Sequence, residues 1–462
     1  MPSVELHSFN VALPEASRWR RSFGHRQFQL YPKVEHRLQV GPRESVVDVF
    51  LDCESLQLGP PQRYEALRAF LEKAKMMVSN STQKVESPSE AIAIVDDRCD
   101  PTPIVSLSGN GAVSYVRAWT DEYINEPPSG TNIKVAAVTA EGLYRYLKKS
   151  KKDDYERRII YATDLTPTMA LAIIMNVAYT HLPEIRSYFD RHIGFHPYMK
   201  VSLSQGFVLE FHIPHFVLRI DQEARRDERG LRKCRYVQAS NGSKHRRECI
   251  YEAQMSLIVF GVDEFSWTAY FFVDTYYSKQ DSTSHYIRKK LDAPSGGYME
   301  HNSPVWDPRH YFLTVLSIRL SQVTLEWSSL VQTIEANLDP HSDIDDLSLP
   351  NFVDDDPVME RTKQRTWTIG ALRRLRNALG TLIAVWHGFE AEQKGYFDLG
   401  TEGPLFAKFR ELFSHIGETV TELKMLHLTL EQRIETLEKT NQHVLSYWQV
   451  LLLGKPGKFN CI

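Results

Sequence analysis

Through most of the last third of the chain, apolar residues recur every three or four positions. That period fits an α-helix and no strand. A first helix is predicted from Pro308, a residue favoured in the first turn, and carries Phe312, Val315, Val323, Trp327, Leu330, Ile334 and Leu338. A second runs from about Arg361 to Glu392 with Leu372, Leu375, Leu379, Leu382, Trp386 and Phe389. The third follows Pro404 and carries Phe409, Leu412, Ile416, Val420, Leu423, Leu430, Ile434, Leu437, Val444, Trp448 and Leu451. At ~45 residues and 1.5 Å per residue it would reach roughly 65–70 Å. A helix of that length must bury its stripe along partners, so a three-helix bundle or coiled-coil stalk is expected. Between the first two helices, Asp339 to Pro357 holds seven Asp and three prolines and reads as a flexible acidic loop.

The first 300 residues have a different grammar. Val46 to Leu51 is a short apolar, β-branched run, and Gln62 to Val78 spaces Tyr64, Leu67, Phe70, Leu71 and Ala74 as an amphipathic helix does. Ala91 to Val95, Ile133 to Val138 and Ile159 to Thr163 read as strands. Thr139 and Thr166-Pro167 open helices after the last two of these. Ile104 to Leu107 and Val113 to Val116 flank Ser108-Gly-Asn-Gly111, which is a hairpin turn rather than a phosphate loop, since no helix start and no third glycine follow. Two longer hairpins are predicted, Met199 to Leu203 with Phe207 to Ile220, and Met255 to Val262 with Phe265 to Tyr276 around Asp263-Glu264. The expected fold is a mixed-sheet α/β head followed by a long-helix bundle or stalk.

Composition narrows the class of protein. Hydrophobic residues at 42% and charged residues at 24% exclude a disordered, collagen-like or disulfide-stapled chain. Lys+Arg number 55 against 58 Asp+Glu, and a net charge of −3 gives no reason to expect a nucleic-acid partner. The five cysteines are spread out with no CxxC pair, which suits a reducing compartment. No secretory signal opens the chain, and no apolar run reaches the ~18 to 20 residues of a membrane span; Leu257 to Val273 is broken by Asp263 and Glu264. A cytoplasmic protein with no direct membrane span is expected, and the N-x-S/T sequons at Asn80 and Asn241 then read as chance matches.

Candidate chemistry is sparse. There is no G-x-x-x-x-G-K-[ST] loop, no H-E-x-x-H helix and no G-x-S-x-G elbow. His192 and His196 are four apart, the spacing of a zinc helix, but Gly194 lies between them and Pro197 follows. His212 and His215 are three apart on a predicted strand, which points them to opposite faces. Packed histidines are the expectation. The nine Lys/Arg between Asp221 and Arg247 read as a basic patch for phosphate or nucleic acid or, preferably, as a solvated excursion between strands. Asp343, Asp345 and Asp346, with Asp354 to Asp356 beyond, offer the oxygens that Mg²⁺ or Ca²⁺ takes; they lack the glycine and terminal glutamate of a calcium loop, and a solvated linker is the default. No catalytic residue and no resident cofactor are assigned.

Three stretches, Phe207 to Arg219, Glu252 to Tyr276 and Trp306 to Trp327, resemble a group of fungal CorA-like proteins, relatives of the CorA divalent-cation channels. The likeness covers about residues 157–453. It implies an α/β head, two packed helices and one long stalk helix, divided here as 1–156, 157–306, 307–338, 339–358 and 359–462. In full-length members the stalk enters two transmembrane helices, the first ending in Gly-Met-Asn. This chain has no Gly-Met-Asn, and its stalk meets Gly454 to Ile462. The resemblance therefore implies a non-enzymatic regulatory or assembly module related to magnesium transporters. Its partners would be copies of itself or a pore-bearing relative, joined through the C-terminal helix. The alternative is an accessory or binding protein of a fungal, for instance secondary-metabolite, pathway with no transport role.

Overall fold

The computed structural model describes residues 19, 22–23, 46–51, 64–80, 93–99, 106–107, 114–115, 132–149, 156–203, 206–221, 224–236, 247–278, 283–300, 303–338, 360–397, 399 and 402–453. Two compact units share the chain. One comprises Met1–Ile213, Gln254–Arg319 and Trp386–His415; the other comprises Pro214–Ala253, Leu320–Val385 and Ile416–Ile462.

The strands in chain order are β1 (Ala93–Cys99), β2 (Ser106–Leu107), β3 (Ser114–Tyr115), β4 (Asn132–Val138), β5 (Arg157–Thr163), β6 (Tyr198–Leu203), β7 (Phe207–Asp221), β8 (Cys234–Tyr236), β9 (Arg247–Asp263) and β10 (Ser266–Val273). The main sheet runs β4-β1-β5-β10-β9-β7-β6, with β8 paired to β9, while β2 and β3 form a small hairpin of their own. β5 and β10 are parallel; β1 is antiparallel to β4 and β5, β9 to β10 and β8, and β6 to β7. The sheet is thus mixed, as the sequence predicts. The β9–β10 turn is built by Asp263, whose Oδ1 accepts the backbone N–H groups of Phe265 and Ser266, both at 2.9 Å. An Asx turn of this kind sets the hairpin register from one side chain.

The head helices are α1 (Val46–Leu51), α2 (Glu65–Asn80), α3 (Ala140–Lys149), α4 (Pro167–Ile174), α5 (Leu182–Ile193) and α6 (Thr283–Lys289). The predicted caps are in place. Thr139 Oγ1 accepts from Gly142 N at 3.2 Å and Thr166 Oγ1 from Met169 N at 3.3 Å. The β-branched run at Val46 is a helix, because Val47, Phe50 and Leu51 are all buried and Phe50 meets Phe189 of α5 edge to face. Burial here overrides strand propensity.

A correction concerns the basic excursion after β7. It contains β8, and Arg229 and Arg232 are buried instead of solvated. Asp227 organises it by accepting the backbone N–H groups of Arg229, Leu231 and Arg232. Of the nine cations, Lys244 and Arg246 lie outside the described residues.

Three long helices complete the chain: α7 (Pro308–Leu338), α8 (Glu360–Gln393) and α9 (Pro404–Leu453). Asp307 caps α7 by accepting from His310 N at 2.8 Å. In the second unit they pack as a bundle around Val323, Trp327, Leu330, Leu372, Leu379, Leu382, Val420, Leu423, Leu430 and Ile434, all buried. Ser321–Thr419 and Glu335–Arg433 share an offset of 98 residues, so α7 and α9 run parallel in constant register. Arg373 pairs with Glu438, and a Cβ on Gly380 would lie 3.0 Å from His427 Nε2, so α8 runs antiparallel to α9. The offset carries Leu338 to the level of Thr436. The antiparallel register carries Glu360 close to the end of α9. Among the described residues α8 runs beside the end of α9 and α7 does not, whereas the helix lengths suggest that both fall short. The side chains of Val444, Trp448 and Leu451 to Leu453 lie outside the described residues.

Candidate functional site

A buried polar cluster of the head forms where α5 crosses β7, β9 and β10. Alternation places Glu210 and His212 on one face of β7 and Gln254 and Ser256 on one face of β9. The 3.6-residue period of α5 puts Tyr188, Arg191 and His192 opposite them. Tyr188 straps the helix to the sheet by sharing its hydroxyl between Ser256 O at 2.8 Å and Tyr270 O at 3.0 Å.

The cluster forms one hydrogen-bonded chain. Arg191 Nη1 donates to both oxygens of Glu210, at 2.7 and 2.9 Å. His212 Nε2 lies 2.7 Å from Glu210 Oε1, and His212 Nδ1 lies 2.8 Å from Ser256 Oγ. His192 Nδ1 is also 2.8 Å from Ser256 Oγ. Gln254 Nε2 donates to Arg191 O at 3.2 Å, and its backbone N donates to Asp274 Oδ2 at 2.9 Å. His192 Nε2 faces Asp274 Oδ1 across 4.0 Å.

The charge states follow from burial and neighbours. Burial pushes the Glu210 carboxyl up, but the hydrogen bond and charge of His212, together with Arg191, bring it below its ordinary value. Burial holds the His212 imidazole below its ordinary value against the pull of Glu210. An ionised Glu210 and a neutral His212 fix the proton on Nε2, so Nδ1 must accept. Ser256 Oγ–H then donates to His212 Nδ1 and accepts from His192 Nδ1–H. All donors point one way, from His192 through Ser256 and His212 to Glu210.

This has the membership of a nucleophile–base–acid triad without its access. Ser256, His192 and His212 are each 0% exposed. A hydroxyl sealed between two imidazoles acts here as a structural donor that ties α5 to the sheet. A second buried network lies on β1 and β5. Arg157 pairs with Asp96 at 3.3 Å and Asp292 at 3.8 Å, with its guanidinium over the rings of Trp267 and Tyr311. Burial raises the Asp292 carboxyl despite Arg157.

Of the four sequence-flagged histidines, His192 and His212 meet through Ser256. His196 lies past the end of α5, and His215 is buried in the other unit. Among the described residues no group of three or more His, Cys, Asp or Glu is placed to hold a metal ion. Asp343, Asp345 and Asp346 lie outside the described residues. Sequence reasoning missed Gln254 and Ser256. Their only signal is polar residues at alternate positions, Glu252, Gln254 and Ser256, entering the apolar half of the strand. Among the described residues no helix is long and apolar enough to cross a membrane. No protein-family model matches this chain, and no curated protein matches it.

Proposed function

We propose that this chain is a CorA-like head and helical bundle that works as a non-enzymatic regulatory or assembly module, joining copies of itself or a pore-bearing relative through the end of α9. The observation that carries the reading is the register of the bundle. Among the described residues, α7 stops level with Thr436 while α9 continues to Leu453 with the start of α8 beside it. In that stretch the Asn441 Oδ1 is buried without a hydrogen-bond partner, and a Cβ on Gly370, at about the same level of α8, would meet nothing within 4 Å. A stretch in which α8 alone of the described helices accompanies α9, and which holds an unsatisfied amide, suits a partner helix. The sealed state of the head's polar chain supports the non-enzymatic part, because its groups are engaged in holding α5 on the sheet.

Light scattering on the intact protein tests this. A mass well above the 53.4 kDa of one chain is expected, returning to that value when residues 442–462 are deleted or when Trp448→Glu places a charge on the stripe. A single-chain mass for the intact protein at tens of micromolar would contradict the reading.

A further inference from the structure

A buried arginine on α5 lacks the anion that its environment demands. Arg186 is 3% exposed, and its Nε and Nη2 are buried with no hydrogen-bond partner. The guanidinium lies over two aromatic rings, its carbon 5.8 Å from the centre of Phe50 and 5.4 Å from that of Tyr64. Cation–π contact of this kind stabilises the faces of the group but leaves its N–H edge unsatisfied. Six other buried arginines are treated differently. Arg98, Arg157, Arg158, Arg229 and Arg309 each reach a carboxylate, and Arg319 donates to the carbonyls of Ala293 and Pro294.

The two open atoms are not a random pair. Nε–H and Nη2–H point in parallel from one edge of the planar group, the edge that binds two oxygens of a carboxylate or phosphate at once. The carboxylate of α1 is already engaged, since Asp48 Oδ1 takes Arg68 Nη1 at 3.0 Å. Tyr64 also immediately precedes α2, and its carbonyl accepts from Arg68 N at 2.8 Å as the first turn closes. A 16-residue helix therefore presents its N-terminal end next to the same ring, adding the positive end of its dipole; Glu65 at that end is exposed.

We infer that the Arg186 edge between Phe50 and Tyr64 is a binding site for a small oxyanion, a phosphate or carboxylate group held side-on by Nε and Nη2. A buried cation with no counter-charge is costly, and an anion bound there removes that cost.

The test is thermal melting and calorimetric titration of the full chain with inorganic phosphate and with acetate, each against chloride at equal ionic strength. A saturable rise in melting temperature with one of the two is expected, and which of them acts assigns the site to phosphate or to carboxylate. Arg186→Met keeps the bulk without the fork and should abolish the response. Arg186→Lys keeps the charge without the fork and should weaken affinity at least tenfold. No saturable response beyond chloride in the wild-type chain means that water alone fills the edge and overturns the inference. An undiminished response in Arg186→Lys overturns it too, whether or not Arg186→Met folds.

Discussion

His212 shows how one side chain can be read for type but not for role. In the sequence it is one of four neighbouring histidines whose spacing tests poorly against a metal site. In the fold it is a neutral, fully buried acceptor and donor between Ser256 and Glu210. The difference arises because Gln254 and Ser256, over 40 residues away, supply the missing partners, and no local pattern announces them. A pH dependence follows. Burial lowers the His212 value in the folded chain, whereas the unfolded imidazole protonates near its ordinary value of about 6.5. Below that value the unfolded chain binds more protons, so the stability that His212 contributes is complete above about pH 6.5 and is lost as pH falls toward its folded value. His310 is shifted the same way by burial, so His212 accounts for part of the effect. Denaturant melts at pH 7.5 and 5.5 should show a smaller acid loss of stability in His212→Asn than in the wild type. An equal loss in both would place the titration elsewhere.

At the scale of elements, the chain's own punctuation was informative. Pro308, Thr139, Thr166 and the Asp263-Glu264 turn mark boundaries that local hydrogen bonds enforce, so helix starts and hairpins could be read directly. Local patterns fall short where packing dominates. The run at Val46 folds as a helix against α5, and the cationic stretch around Arg229 is drawn inward by Asp227. Close strand approach is a third feature that the sequence only hints at, through glycines in otherwise apolar runs. A Cβ on Gly261 would lie 2.5 Å from Ser266 O, and one on Gly206 would lie 2.3 Å from Gly261 O. Backbone oxygens cannot swing aside as a side chain can. Gly261→Ala should therefore destabilise the protein by about 1–3 kcal/mol, in the range of overpacked cores. Equilibrium unfolding that shows no change would mean that the β9–β10 hairpin tolerates a shift the geometry forbids.

At the scale of the whole molecule, the order of parts was legible and their register was not. Helical periodicity sets the number and approximate length of α7, α8 and α9. The 98-residue offset that leaves α9 longer than α7 depends on which ridges interlock. Along α9 the inward positions Ile416, Val420, Leu423, His427, Leu430, Ile434, Leu437 and Asn441 fall in alternating steps of four and three, a heptad seam in which Asn441 sits among apolar residues. A lone asparagine in such a seam fixes register against its equivalent in a second helix. Cysteine cross-linking tests the proposed assembly through this end at the residue concerned. In a parallel, in-register pair the two copies of position 441 come within disulfide reach. Asn441→Cys should give a disulfide-linked pair of chains under mild oxidation, well above the level of the wild-type chain and of an exposed control, Glu418→Cys. Cross-linking of Asn441→Cys at the control level would contradict assembly through the end of α9.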